Sequence, residues 1–213
     1  MKCHICAKEA LSFKDTKTDI LYYYCKGCEY IFKSPEHHHD LAIQKKRYDL
    51  HQNDKNHPGY RAYYQYFLDF VMPLASHVVS DALDFGCGAS ALLSEMMTET
   101  GISCDYYDPI YHPNLPDENK KYDLIVSTEV FEHLHQPKAV FEKLLNRLNA
   151  DGILAIQTQF HNNNSEDFLQ WYYRRDATHI VFFTPKTFKV LCDRFGCQLL
   201  AHNGKNIAVI RKL

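Results

Sequence analysis

From Asp81 onward the chain alternates short apolar runs with segments whose apolar residues return every three or four positions, the pattern of strands that feed helices. "DALDFG" (Asp81–Gly86) reads as a short buried strand and "SALLSEMMTETG" (Ser90–Gly101) as the helix after it. "SCDYYDP" (Ser103–Pro109) is a second strand, and a third begins at Tyr122 in "YDLIVSTEVFEHL". "PKAVFEKLLNRLNADG" is an amphipathic helix with Pro137 in its first turn and Val140, Phe141, Leu144, Leu145 and Leu148 on its apolar face. "GILAIQTQF" (Gly152–Phe160) is the next buried strand. Thr184 as cap, Pro185 at the first position and Gly196 as stop delimit a further helix. The chain closes on two strands around Asn203-Gly204, a hairpin signal. Upstream, Tyr63, Tyr64, Phe67, Leu68, Phe70, Val71, Leu74 and Ala75 fall at helical spacing between Tyr60 and Val79, with Pro73 set to kink or end that helix. It is expected to cover a sheet edge, and Tyr60 and Tyr63 are placed to act as a lid. Before it, "KSPEHHHD" opens a polar connector that runs to Gly59, with His37 to His39 at the surface.

Composition narrows the class. Of 213 residues, 46% are apolar and 14% aromatic, enough for one good core and a small appendage. The formal net charge of −2, with both signs mixed along the chain, gives no global case for a nucleic-acid or membrane partner. No apolar run reaches spanning length and the N-terminus lacks a signal-peptide pattern, so the expected location is cytoplasmic without membrane insertion.

Cysteine placement adds chemistry. "CHIC" supplies Cys3 and Cys6; after eighteen intervening residues "CKGC" supplies Cys25 and Cys28. Two residues between thiolates let one turn present both sulfurs to one ion, and two such turns complete a tetrahedral zinc site. Between them "ILYYYC" has strand character, as a zinc ribbon needs. Four thiolates leave no open position, so the zinc is structural; the competing reading is a redox C-x-x-C or idle thiols. Cys87, Cys104, Cys192 and Cys197 read as small buried hydrophobes.

In "LDFGCGAS", Gly86 and Gly88 permit a tight turn with backbone amides exposed at a helix start. Asp108, twenty residues beyond Gly88, is placed to accept hydrogen bonds from ribose hydroxyls. Gly86 to Ala91 also satisfies the dinucleotide pattern G-x-G-x-x-A, so the glycines alone are ambiguous. Asp84 discriminates, since a pyrophosphate beside a fixed carboxylate is unfavourable whereas an ammonium or sulfonium is favoured.

These stretches carry a resemblance. "LDFGCG" resembles motif I of the class I S-adenosylmethionine-dependent methyltransferases, and "YDLIVSTEVFEHL" their fourth-strand motif. The chain is similar, more narrowly, to bacterial methyltransferases with an N-terminal zinc ribbon, in "YDP", "TEVFEH" and "RRDATHIVFF". The resemblance implies an α/β fold, a Rossmann-like class I methyltransferase sheet, mostly parallel with a C-terminal antiparallel hairpin. It implies a zinc ribbon at 1–35, a connector and helical cover at 36–80, and the methyltransferase domain at 81–213. It implies S-adenosylmethionine contacts at Asp84, Gly86, Cys87, Gly88 and Asp108, with Glu129 beside the cofactor. One departure stands out: thirteen residues separate Asp108 from Tyr122, too few for the usual helix and strand, so "IYHPNLPDENKK" must be mostly loop.

Candidate catalytic groups follow the fourth strand. A helix beginning at "EVFEH" would put Glu129, Glu132 and His133 on one face, with His179 within reach. His133 or His179 is a candidate general base, assisted by Glu132; a possible second divalent metal on these four groups, resembling E-x-x-E-H methyltransferases, is the sharper alternative, and a capping Glu132 with a packed His133 the plainer one. In "FLQWYYRRDATHIVFF", Trp171 and Tyr172 would stack on a substrate while Arg174 or Arg175 holds an acidic group; the alternative is a packed loop with solvated arginines. The expected activity is methyl transfer to a small-molecule acceptor. An RNA methyltransferase gripping nucleic acid through Lys2, Lys8, Lys14 and Lys17, a cofactor-binding module without turnover, and an NAD oxidoreductase are the competing functions.

Overall fold

The computed structural model of the chain describes residues 1–38, 45, 46, 49, 58–75, 77–117 and 119–213. Its first three strands, β1 (Leu11–Lys14), β2 (Leu21–Cys25) and β3 (Tyr30–Lys33), form an antiparallel meander. Aromatic residues hold it: Tyr23 faces Phe32 across the β2–β3 pair with ring centroids 5.2 Å apart. The connector expected at 36–59 lies mostly outside the described residues, as does His39. Helix α1 (Pro58–Val71) then follows the apolar spacing and gives way at Pro73 to a single 3-10 turn, Met72–Leu74.

The second half builds the main sheet. Strand β4 (Asp81–Phe85) leads to helix α2 (Leu92–Glu99), β5 (Ser103–Tyr107), β6 (Tyr122–Thr128), helix α3 (Pro137–Asn146) and β7 (Leu148–Gln157). Short helix α4 (Ser165–Gln170), the two-residue strand β8 (Val181–Phe182), helix α5 (Pro185–Phe195) and strands β9 (Cys197–His202) and β10 (Ile207–Lys212) complete it. The strand order is β5-β4-β6-β7-β10-β9; β4 to β7 run parallel and β10 lies antiparallel to both β7 and β9. Mixed α/β architecture with a terminal antiparallel hairpin is therefore the fold. Residues 113–121 form no strand among the described residues, as the short spacer requires.

Parallel strands buried on both faces need apolar side chains at every position, which is why these runs are continuous. One face, with Leu83, Ile125, Leu154 and Ile210, packs on α3 and α5; the other, with Ala82, Leu124, Val126 and Val209, packs on α1 and α2 through Phe67, Leu68 and Met96. Helix α5 has the expected Thr184 capping box and ends at Gly196 with φ +64°. One boundary moves: Leu148, expected on the α3 face, opens β7, because the Tyr122 amide bonds the Arg147 carbonyl at 2.9 Å and draws the chain into the sheet before Gly152.

The cysteine meander is joined to this body. Strand β3 pairs with β8, Ile31 opposite Phe182 and Phe32 opposite Val181, so the small sheet takes its fourth strand from the second half of the chain. Cys25, Cys28, Tyr30 and Phe32 belong to the same buried cluster as the α3 and α5 face. An ion pair crosses the junction: Arg174 lies 2.7 Å from Asp15 and donates to the Tyr22 hydroxyl at 3.3 Å, with both charged side chains at about one-twentieth exposure (6% and 5%). Among the described residues no helix is long and apolar enough to cross a membrane.

Removing one partner of a buried pair strands the other charge. Arg174→Ala should therefore cost about 3 kcal/mol of stability in urea unfolding, and the double variant Arg174→Met with Asp15→Leu much less.

Candidate active site

Strand β4 delivers the chain to a turn in which Gly86 has φ +83° and Gly88 φ +64°, a region open to glycine at no steric cost. A Cβ on Gly86 would lie 2.2 Å from the Val130 side chain, so the turn and the end of β6 touch directly. The turn amides, expected to be open, are taken. Gly86 and Cys87 donate to the Tyr107 carbonyl at 2.7 and 3.1 Å, and Gly88 donates to Asp108 Oδ2 at 3.2 Å. Asp108 Oδ1 accepts from the Ile110 and Tyr111 amides, at 2.8 and 3.0 Å. A carboxylate offers about four acceptor positions, which leaves Asp108 room for a ligand hydroxyl.

Asp84 lies under this turn, not at its rim, with 1% exposure. No hydrogen bond of normal geometry reaches either carboxylate oxygen, and burial, with the Asp108 charge adding, pushes it up to about 7. The Cys87 thiol is likewise buried, and burial pushes it up.

The end of β6 departs from the expected helix. Glu129 has φ +53°, which an α-helix does not accept, and only one 3-10 turn, Phe131–His133, follows. Glu129 is instead clasped from two sides: Tyr63 of α1 donates to Oε1 and Tyr173 to Oε2, each at 2.9 Å. Burial and the neighbouring Glu132 charge raise it to about 8. Glu132 is completely buried; the Tyr173 and Thr158 hydroxyls lie against it without a well-formed hydrogen bond, and burial raises it too.

His133 and His179 meet edge to face with ring centroids 4.8 Å apart. His133 Nδ1 is 3.0 Å from the Thr178 carbonyl and His179 Nδ1 is 2.7 Å from the Tyr173 carbonyl. Carbonyls only accept, so each Nδ1 carries the proton and each Nε2 carries the lone pair. Burial lowers both rings below the usual imidazole value, His179 to about 3. Ligand atoms of Glu132, His133 and His179 lie within 4.8 Å of one another. Glu129, expected as a fourth member, is absent from that group and belongs to the two tyrosines.

The substrate-wall expectation divides. Trp171 and Tyr172 line a cavity of about 440 Å³ with His161 and Asp167. Arg174 is not available there, being buried with Asp15, and the exposed Arg175 turns back onto the Gln170 carbonyl at 3.0 Å. A larger cavity, about 650 Å³, opens between α1 and α2 and is lined by none of the strand-end groups. Tyr63 stood out in the helical pattern only as a lid; Tyr173 and Thr158 carry no sequence signal, since a tyrosine and a threonine beside apolar runs read as packing.

At the far end of the meander the four sulfurs of Cys3, Cys6, Cys25 and Cys28 lie within 4.8 Å of one another, the Cys3–Cys28 and Cys6–Cys25 pairs at 3.5 and 3.4 Å. Tetrahedral zinc, with Zn–S near about 2.3 Å, sets sulfurs about 3.8 Å apart, so the donor set fits. The Cys28 contact draws the Cys3 thiol down to about 5.

The family model described as a methyltransferase domain matches residues 59–202, a span that excludes the cysteine knuckle. No curated protein matches the chain. Among solved structures, an O-methyltransferase family protein from Burkholderia thailandensis superposes with TM-score 0.51 at 11% identity, covering 79% of this chain and 62%, under two thirds, of that one. The N-methyltransferase NodS from Bradyrhizobium japonicum WM9, solved with S-adenosyl-L-homocysteine, gives TM-score 0.50 at 16% identity over 81% and 99%. At such identities the likeness is one of fold.

Buried carboxyls raised on folding bind protons more tightly in the native state, so stability should fall as pH rises from about 4 through the raised values near 7 and 8. Urea unfolding between pH 5 and about 8.5 should show that slope, and Asp84→Asn and Glu129→Gln should each flatten it.

Proposed function

Because the chain belongs to the methyltransferase-domain family, we propose that it moves a methyl group from S-adenosylmethionine to a small-molecule acceptor, with a structural zinc in the Cys3, Cys6, Cys25, Cys28 knuckle. One observation carries the cofactor assignment. Two carboxylates, Asp84 and Asp108, sit at a turn whose amides at Gly86, Cys87 and Gly88 are already bonded within the protein. A pyrophosphate needs open N–H donors, which favours a guest with cationic and hydroxyl groups instead.

S-adenosylmethionine supplies an electrophilic methyl on a sulfonium centre. Around it, Asp108 accepts from ribose hydroxyls, and a cationic guest on the turn would draw the buried Asp84 carboxyl beneath it into its charged form. Glu129, held by Tyr63 and Tyr173, faces the transfer point and orients both reactants. The Nε2 lone pair of His133 or His179 takes the acceptor proton, and Glu132, whose Oε1 lies 3.8 Å from His133 Nε2, faces that nitrogen. Trp171 and Tyr172, in ring contact with the Tyr173 that holds Glu129, supply aromatic surface on the acceptor side. The net charge of −2 favours a small acceptor over nucleic acid.

A second reading rests on the same two nitrogens: with Glu132 they would also hold a divalent cation that lowers the acceptor's pKa.

Calorimetry with S-adenosylhomocysteine and NAD in parallel tests the cofactor. Binding of the first alone is expected, with Asp108→Ala weakening it at least about a hundredfold; NAD binding without the sulfur compound would overturn the assignment. Metal analysis should find about one zinc per chain, lost in Cys25→Ser. Titration of the zinc-loaded protein with Mn²⁺ should show no further site; a tight one abolished by His179→Ala would transfer proton removal to the metal.

A further inference from the structure

Lys33 is a charged residue in an apolar position. It ends β3 of the cysteine meander, in a strand buried at all four residues, and is 2% exposed. Burying an ammonium is costly unless acceptors surround it. Its acceptors come from the other half of the chain: Nζ donates to the Asp176 carbonyl at 3.4 Å and to the Ala177 carbonyl at 3.3 Å. The Lys33 amide donates to the Ile180 carbonyl at 2.8 Å, so side chain and backbone together grip residues 176–180.

That segment carries the acceptor-side groups. Its Thr178 carbonyl accepts from His133 Nδ1, and the Ile180 amide bonds the Glu132 carbonyl at 2.8 Å. His179 lies within it and is bound at Nδ1 by the Tyr173 carbonyl, while the Tyr173 hydroxyl clasps Glu129. At its upstream end Arg174 is fixed by Asp15, again a residue of the meander. The Asp176 carboxylate accepts from the Thr178 amide and hydroxyl through Oδ1, at 2.9 and 2.6 Å, and its negative charge favours the Lys33 ammonium beside the carbonyls at 176 and 177. The Lys33 charge also acts directly on both imidazoles. The cofactor turn at 86–88 and Asp108 has no member in this chain of contacts.

We propose that Lys33 is a positioning residue of the transferase site, an ammonium lent by the cysteine meander that sets the loop bearing His179 and the carbonyl that orients His133. The meander is thus a wall of the acceptor half of the site. This rests on the reading of His133 and His179 as the acceptor-side pair and is independent of the cofactor half.

The test uses full-length, zinc-loaded protein with wild type, Lys33→Met and Lys33→Arg. Nitrogen-15 imidazole spectra at pH 7.5, assigned with His133→Gln and His179→Gln, report the two Nδ1–H groups. Wild type and Lys33→Arg should show both protons protected from exchange, and Lys33→Met should speed their exchange more than tenfold. Zinc content should stay unchanged, and S-adenosylhomocysteine affinity should remain within twofold. Both signals persisting in a folded Lys33→Met protein overturns the proposal. If that variant does not fold, Lys33→Gln, neutral and too short to span to both carbonyls, takes its place with the same expected loss. Failure of wild type to bind S-adenosylhomocysteine would count against the cofactor assignment alone and leaves the imidazole readout standing.

Discussion

The constraint on which this structure depends is the dryness of its central strands. Strands β4, β6 and β7 are covered on both faces, so a polar side chain they carry has neither water nor a spare ladder group to bond. On these strands the buried polar side chains without partners gather at the carboxyl ends. Asp84, Ser127 and Gln157 are all there, fully buried and without well-formed partners, and Glu132 follows a few residues on. In open α/β sheets this edge is where ligands sit. A set of buried, under-satisfied polar atoms at that edge is costly for a structural role and sensible for one that awaits a guest.

The same dryness explains what could be read from the residues alone. Continuous apolar runs bounded by glycines gave the strands, and Thr184, Pro185, Gly196 and Asn203-Gly204 gave their punctuation, because each acts locally. The site was legible in part. Gly86, Asp108 and the four cysteines signal through fixed spacing. The use of the turn amides was not legible, since it requires knowing that the Tyr107 carbonyl ends beside Gly86. Nor was the left-handed Glu129, which replaces the helix that "EVFEH" invites. Contacts such as Tyr63 to Glu129 and Arg174 to Asp15 span most of the chain, and single residues carry no periodicity to announce them.

The joining of the meander belongs to that second kind. Strand β8 is two residues long and sits inside the apolar run "IVFF", indistinguishable from core. Its pairing with β3 makes the boundary at residue 35 a boundary of sequence pattern more than of packing, for the buried cluster runs from Cys28 to Phe188 without interruption. The family match begins at residue 59, beyond the knuckle, while the fold places Asp15, Lys33 and Tyr22 against the loop that follows α4.

The hydroxyl of Tyr63 on Glu129 has a mechanical meaning. A molecule that bonds this carboxyl in place of the tyrosine would trade a contact that α1 makes with the sheet edge, which ties occupancy of the site to the seating of the helix.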